Sequence, residues 1–553
     1  MHNKKKGLSM WSVSTLIILA IFGLFIIYPL LLVLVKSVID PENGKATLSY
    51  FFKFFQKKFY WSTLINSFKV TIVATILSVL LGLPIAYIMR STKIKGSGFL
   101  DILIVISYLS PPFIGAYAWI QLLGRNGFIT RIINFLFNVK LNGIYGFAGI
   151  VLVFTLQSFP LVYMYISGAL KSIDNSLNEA AESLGAPSFK RITSIIIPLI
   201  MPTLLASSLL VFMRVIADFG TPMLIGEGYK TMPVLIYGQF MGEVGGDDGF
   251  AAAICMIMVI VTLLLFILQK FLSNRNSYAM TALKPMVAEE VRGIKGLLCH
   301  GFVYLAVFMA VLPQMVVIYT SFLKSNGGQV FTGGFSLDSY KATIFTKSNM
   351  AILNTYKFGL IAIVAIVIAG ILISYLTVRK RSFLTYIIDI LVMFPYIIPG
   401  SVLGISFLFA FGDYPILLSG TSAIIIIAYA IRRLPYTVRS TSAIIGQISP
   451  SVEEAAVSLG ASEIKTFFKI MVPMMMPGVL SGAILSWVTA ISELSSSVIL
   501  YNSGTQTLTV SIYTEVIRGN YGNAAAYSTV LTFTSIISLL IFFKLTGKKE
   551  ISM

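Results

Sequence analysis

Four ionisable residues, Asp218, Glu493, Arg432 and Arg433, sit where the surrounding sequence is almost wholly apolar. A charge within hydrocarbon is costly, so each must be paired or put to use. Arginines there would attract an anionic solute, or a metal bound with anions, and so mark a polar pathway. The competing reading is structural: Glu493 pairs with Arg432 or Arg433 and holds two spans together. Asp218 and Glu493 occupy equivalent places in an internal repeat, and Arg214, four residues before Asp218, could pair with it on one helix face. Other chemistry has little material. His2 and His300 are the only histidines, and Cys255 and Cys299 lie in or beside apolar runs without zinc or disulfide spacing.

A second constellation is duplicated. EAAESLGA, Glu179–Ala186, returns as EAAVSLGA, Glu454–Ala461, and each is followed at the same distance by a proline, Pro198 or Pro473. Asp174 and Ser449 suit a helix N-cap, and Pro450 suits the first turn. Gly185 and Gly460 can take the positive φ that ends a helix. A second short helix then leads to the proline. The pattern predicts a helix–turn–helix across the membrane face, two of which would offer matching docking surfaces to a two-fold symmetric partner. Recent duplication of ordinary re-entry loops would also make them alike. Against that, the loops match better than the spans around them.

The elements that must position these residues are membrane spans. Hydrophobic residues make up 57% of the chain and charged residues 11%, outside the range of soluble globular proteins. The net charge of +19 follows from basic residues at the ends of apolar runs, as topology requires, and does not call for nucleic acid. Twelve apolar runs of about 20 residues begin near Trp11, Leu64, Leu100, Gly146, Ile195, Phe250, His300, Ile352, Leu384, Thr421, Pro473 and Ala524. The first, Trp11–Val35, is too long for a cleaved signal peptide. Lysine and arginine favour the loops that are cytoplasmic when both termini are inside. The aromatic-basic stretch FFKFFQKKFYW suits the interface.

A shift of 288 residues aligns Asn66 with Asn354, Gly82 with Gly370, Asp101 with Asp389 and Pro111 with Pro399. A shift of 275 aligns Pro160 with Pro435 and Pro198 with Pro473. The difference places a longer outer loop in the first half, around Gly124–Tyr145. Six spans per half make the repeat parallel. The expected organisation is an N-terminal span and interfacial segment (1–63), a first repeat (64–270), a cytoplasmic linker (271–299), a seventh span with its outer loop (300–351), a second repeat (352–544) and a tail (545–553). EVGGDDGF, Glu243–Phe250, reads as an outer turn.

The paired loops, Glu-Ala-Ala followed at fixed distances by Gly, Ile and Pro, resemble the EAA loop of type I ATP-binding-cassette importer permeases. Ile197 and Val472 stand where Leu is usual. The resemblance implies an all-α membrane fold of twelve transmembrane helices in a parallel six-plus-six duplication. It implies that Glu179, Ala180, Ala181, Gly185, Glu454, Ala455, Ala456 and Gly460 meet two ATPase subunits, and that an extracytoplasmic substrate-binding protein delivers the solute to the bacterial inner membrane. Transport would proceed by alternating access, with no covalent chemistry in this chain. The fused form, with RRLPYTVRS (Arg432–Ser440), SELSSSVIL (Ser492–Leu500) and ADFGTPMLIG (Ala217–Gly226), further resembles ferric-iron importer permeases. Permeases for sugar phosphates, 2-aminoethylphosphonate and thiamine look similar. The 26 tyrosines could supply phenolate oxygens to ferric iron, yet tyrosine also suits membrane interfaces, and no metal site is assigned. The sequence has no GxxxxGKS/T phosphate loop, so ATP is expected to be used by a partner chain and no cofactor is expected in this one. An ion-gradient-driven secondary transporter is the alternative class, since such proteins also use six-plus-six duplications. A non-transporting scaffold is a third.

Overall fold

The computed structural model describes residues 10–40, 43–242, 247–274, 288–325, 334–345 and 349–546. Helices make up the regular structure there, apart from isolated bridges. The first half runs α1 (Met10–Val38), α2 (Ser49–Gln56), α3 (Lys58–Ser91), α4 (Ser97–Leu109), α5 (Pro112–Leu123), α6 (Phe128–Phe137), α7 (Phe147–Lys171), α8 (Ser176–Ser183), α9 (Ser188–Ile216), α10 (Gly220–Ile225), α11 (Met232–Met241) and α12 (Asp248–Asn274). The second half runs α13 (Gly293–Ser321), α14 (Asp338–Ile344), α15 (Met350–Arg379), α16 (Phe383–Ile397), α17 (Gly400–Phe411), α18 (Ser422–Gln447), α19 (Ser451–Ser458), α20 (Glu463–Ile491), α21 (Ser497–Leu500), α22 (Leu508–Ile517) and α23 (Tyr521–Thr546). Every helix of the second half has a counterpart in the first. Among the described residues the unmatched helix is α6, which fills the longer loop of the first half.

Among the described residues, nine helices are long and apolar enough to cross a bilayer, or eleven segments if each of two bent pairs is one span. Of the twelve expected spans, the one outside this count is α18. Its 26 residues are long enough to cross, but Arg432, Arg433 and Arg439 make it too polar to qualify on composition. The expected third and ninth spans are not continuous. The chain turns by 98° between α4 and α5 and by 110° between α16 and α17. Pro111-Pro112 and Pro399-Gly400 stand at the two turns, and the residues before them, Ser110 and Ile398, are extended. Proline forces its predecessor out of the helical region and cannot donate to the preceding turn. Within a membrane such breaks persist only where protein or a cavity surrounds them.

The seventh span begins at Gly293, inside the expected linker. Residues 275–287 of that linker, 243–246 of the expected outer turn and 547–553 of the tail lie outside the described residues. Helix α2 leaves Phe52 and Phe55 exposed, while Lys53 reaches Asp247 at 3.2 Å, in keeping with an interfacial helix.

Within each half the second, fourth and fifth spans pack together, α3 with α7 and α9, α15 with α18 and α20. The first span of each half lies against the other half. Helix α1 packs on α15, α16 and α17, and α13 packs on α4 and α5. The aligned glycines explain the closeness of the central pairs. A Cβ on Gly82 would come within 2.8 Å of the Phe159 carbonyl oxygen and Val162, and one on Gly370 within 2.8 Å of Thr437. Small residues let membrane helices approach where lipid offers no hydrophobic drive. Gly82→Val should therefore cost about 1–3 kcal/mol through overpacking and lower the thermal midpoint in detergent. Gly168→Ala, on α7 and with nothing within 4 Å of the added carbon, should leave the midpoint level or raise it. Equal midpoints for the two variants would refute the packing role of Gly82.

Candidate coupling loops and central cavity

The two EAA loops fold alike. Asp174 and Ser449 sit one residue further out than the expected cap position, since α8 and α19 start at Ser176 and Ser451 with Asn175 and Pro450 before them. Each still accepts the N–H two residues on, Asp174 Oδ1 from Ser176 at 3.0 Å and Ser449 Oγ from Ser451 at 3.4 Å. Short polar side chains make such turns readily, which is why the helix begins there. Gly185 and Gly460 close the helices with φ of 79° and 88°. Gly185 N–H donates to the Glu182 carbonyl and Ala186 N–H to that of Ala181. Gly460 and Ala461 repeat this onto Val457 and Ala456. Both are Schellman caps, which satisfy carbonyls the helix end would otherwise orphan.

The expected second short helix runs into the next span. Helices α9 and α20 each extend unbroken for 29 residues, passing through one π-turn at Ile192–Ile196 or Phe467–Met471. Pro198 and Pro473 explain the wide turn: each lacks an N–H and would crowd the carbonyl four residues earlier.

The predicted coupling residues lie at the surface of these loops, with Glu179, Ala180, Glu454 and Ala455 exposed and Ala456 buried. Sequence reasoning missed the most exposed apolar pair, Leu184 at 88% and Leu459 at 90%. The signal was present, because both copies read SLG. The loops differ in how they are held. Glu453 pairs with Arg379 at 2.7 Å and accepts from the Tyr375 hydroxyl at 2.8 Å. Glu463 pairs with Lys380 at 2.8 Å and accepts from Trp11 Nε1 at 2.7 Å. The Trp11 ring lies 4.9 Å from Tyr375 and 5.3 Å from Phe467. In the first loop the positions equivalent to Arg379, Glu453 and Glu463 are Ser91, Asn178 and Ser188. There Glu179 accepts from Asn175 at 2.9 Å, and Glu182 pairs with Arg191 within the loop.

The four predicted intramembrane residues converge on one cavity of about 190 Å³, with Arg214 and three tyrosines, Tyr108, Tyr396 and Tyr436. Tyr108 and Tyr396 align under the 288 shift, each three residues before its proline break, a signal that the reading passed over. Arg432 lies 3.3 Å from Glu493 Oε1, and Arg433 pairs with Oε2. The expected pairing of Arg214 with Asp218 does not form among the described residues. Helix α9 ends at Ile216, so Asp218 leaves the helix face and its Oδ1 accepts from Thr221 N–H at 2.9 Å. Arg214 stacks on Tyr108 at 4.6 Å. Glu493 is placed like Asp218: its Oε1 accepts from Ser496 N–H at 3.1 Å. Both carboxylates thus start the short helix that follows the fifth span. Among the described residues there is no group of three or more His, Cys, Asp or Glu that could hold a metal.

The family model for the binding-protein-dependent transport system inner membrane component matches residues 78–278 and 363–547. A ferric transport system permease protein, FbpB, of Actinobacillus pleuropneumoniae is 30% identical over 552 residues, 97% of this chain and 78% of that protein. A putative ferric transport system permease protein of Haemophilus influenzae is 28% identical over 516 residues, 89% of this chain and 78% of that one. A putative 2-aminoethylphosphonate transport system permease protein of Salmonella typhi is 28% identical over 263 residues, 47% of this chain and 90% of that protein.

Glu493, 3% exposed, is the charge on which the cavity wall depends. Removing one partner of a buried ion pair leaves the others uncompensated, at a cost of roughly 3–5 kcal/mol. Losing a helix-starting acceptor costs about 1 kcal/mol. Glu493→Gln should therefore lower the thermal midpoint in detergent clearly more than Asp218→Ala. The reverse order would show that Asp218, not Glu493, carries the wall.

Proposed function

The chain belongs to the family of binding-protein-dependent transport system inner membrane components, and from that premise we propose that it carries ferric iron across the bacterial inner membrane. Two separate ATP-binding-cassette ATPases power it, and an extracytoplasmic binding protein delivers the solute. The observation that carries the iron reading is the match to ferric transport permeases along nearly the whole fused chain, where the phosphonate relative matches about half. Both termini lie in the cytoplasm, and the ATPases use the ATP.

The lever arms support this mechanism. At 1.5 Å per residue, α9 and α20 are each about 44 Å long. One end of each continues from a coupling loop, and the other ends within two residues of Asp218 or Glu493 on the cavity wall. ATP binding draws the ATPases together and with them α8 and α19. The levers tilt, and the cavity opens outward to take solute from the binding protein. Hydrolysis returns them, and the solute leaves inward. Glu179, Ala180, Ala181 and Gly185, with Glu454, Ala455, Ala456 and Gly460, shape the docking helices. Leu184 and Leu459 are the apolar anchors at their tips. The cavity residues Asp218, Glu493, Arg432 and Arg433 line the path and do no covalent chemistry.

Leu184→Glu combined with Leu459→Glu should remove two anchors worth ~2 kcal/mol each. Co-purification of the ATPase with this chain should then fall about thirtyfold for each anchor lost, with the chain itself still folded. Undiminished co-purification would refute the docking role. The iron reading is tested by asking which loaded binding protein stimulates ATP hydrolysis in the reconstituted complex. Stimulation by a phosphonate-loaded or sugar-phosphate-loaded protein and not by an iron-loaded one would reject it.

A further inference from the structure

We infer that the iron crosses together with an oxyanion, which Arg214, Arg432 and Arg433 receive in the central cavity. This rests on reading the cavity as the path of ferric iron. The charges on the wall carry the argument. Three guanidinium groups face two carboxylates there. Glu493 takes Arg432 and Arg433 as well as Ser496 N–H, and Asp218 takes Thr221 N–H. A bare trivalent cation would meet a wall on which three guanidinium groups outnumber two carboxylates, with Glu493 already paired to two of them. Buried pairs are screened far less than exposed ones, and a triple charge triples each repulsion, so the repulsion exceeds thermal energy several-fold. An anion bound to the metal reverses the sign.

The donor inventory points the same way. Arg214 Nη1, Arg432 Nη1 and Arg433 Nε are buried and make no hydrogen bond, although Arg432 Nη1 lies within ion-pair distance of Glu493. Buried donors left without an acceptor are costly, and donors on three separate guanidinium groups around one cavity fit a ligand with several oxygens. Planar guanidinium groups match the paired oxygens of a carboxylate, carbonate or phosphate. Their placement is built in. Gly400 leaves the notch for Arg432, since a Cβ there would lie 1.6 Å from Nη1, and the Tyr108 ring supports Arg214.

The test uses the full complex of this chain, its ATPases and its binding protein in lipid vesicles. Iron and inorganic phosphate carry separate radiolabels, with labelled citrate in a parallel arm. With ATP present, iron and the accompanying anion should enter the lumen in a fixed ratio. Omitting iron should abolish anion entry, because the anion rides on the metal. Arg214→Gln should lower both labels about tenfold through loss of a charge-assisted contact, and Arg214→Lys should recover part of that loss. Iron entering with neither anion overturns the inference and leaves ferric import standing. Phosphate entering without iron overturns the ferric reading itself. The label ratio in the unsubstituted complex decides the matter even where a variant fails to assemble.

Discussion

Glu493 is buried at 3% exposure, and much of the second half is arranged to keep that charge neutralised. Arg432 and Arg433 approach it from α18, so α18 and α20 cannot slide past each other without separating opposite charges. Arg432 needs the missing side chain at Gly400, which in turn requires α16 and α17 to part there. The carbonyl of Glu493 takes the hydroxyls of Ser497 and Thr509, which ties α21 and α22 to the same point. The first half meets the same geometry with a neutral residue. Gln157, equivalent to Arg432, donates to the Pro112 carbonyl at 3.1 Å and occupies the space beside Gly115. The halves are alike in backbone and unlike in charge, so the cavity between them is polarised toward the second half.

The same inequality appears at the two EAA loops. Two ion pairs and the Trp11 ring hold the second coupling loop to α1 and α15, whereas serine or asparagine occupies the corresponding positions of the first. The exposed surfaces of the two loops are nonetheless similar, because their shape comes from the Schellman cap and the exposed leucine, which both copies keep. Loop shape is set by local backbone chemistry; stiffness behind the short helix is set by tertiary ion pairs. Duplication can preserve the first while the second diverges.

What was legible in the sequence follows the same division. Composition disclosed the membrane, and the repeat disclosed the two halves. Gly185 and Gly460 announced their helix ends because only a local φ is at stake. Asn66 and Asn354 aligned without disclosing a role. Their amides hold the carbonyls of Lys230 and of Gly504 and Gln506, partners more than a hundred residues away. The broken spans were missed because hydropathy sees Ser110-Pro111-Pro112 and Ile398-Pro399-Gly400 as brief interruptions of apolar runs, and a backbone break leaves hydropathy nearly unchanged. Helical spacing allowed Arg214 to pair with Asp218. The helix ends between them, and helix ends are the least readable feature of a sequence.

The exchange of first spans gives these local facts a joint consequence. Helix α1 begins at the second coupling loop through Trp11 and packs along α15, α16 and α17. It also lies against α12, the last span of its own half. Helix α13 makes the reciprocal crossing, against α4, α5 and α23. Each half therefore carries a span of the other on its flank, and a tilt of α20 cannot leave α1, and so α12, undisturbed. Packed helices therefore join the two halves. Such a chain can tolerate unequal anchorage of its two loops. A displacement of the clamped second loop reaches the first half through α1, because Trp11 ties that helix to Glu463.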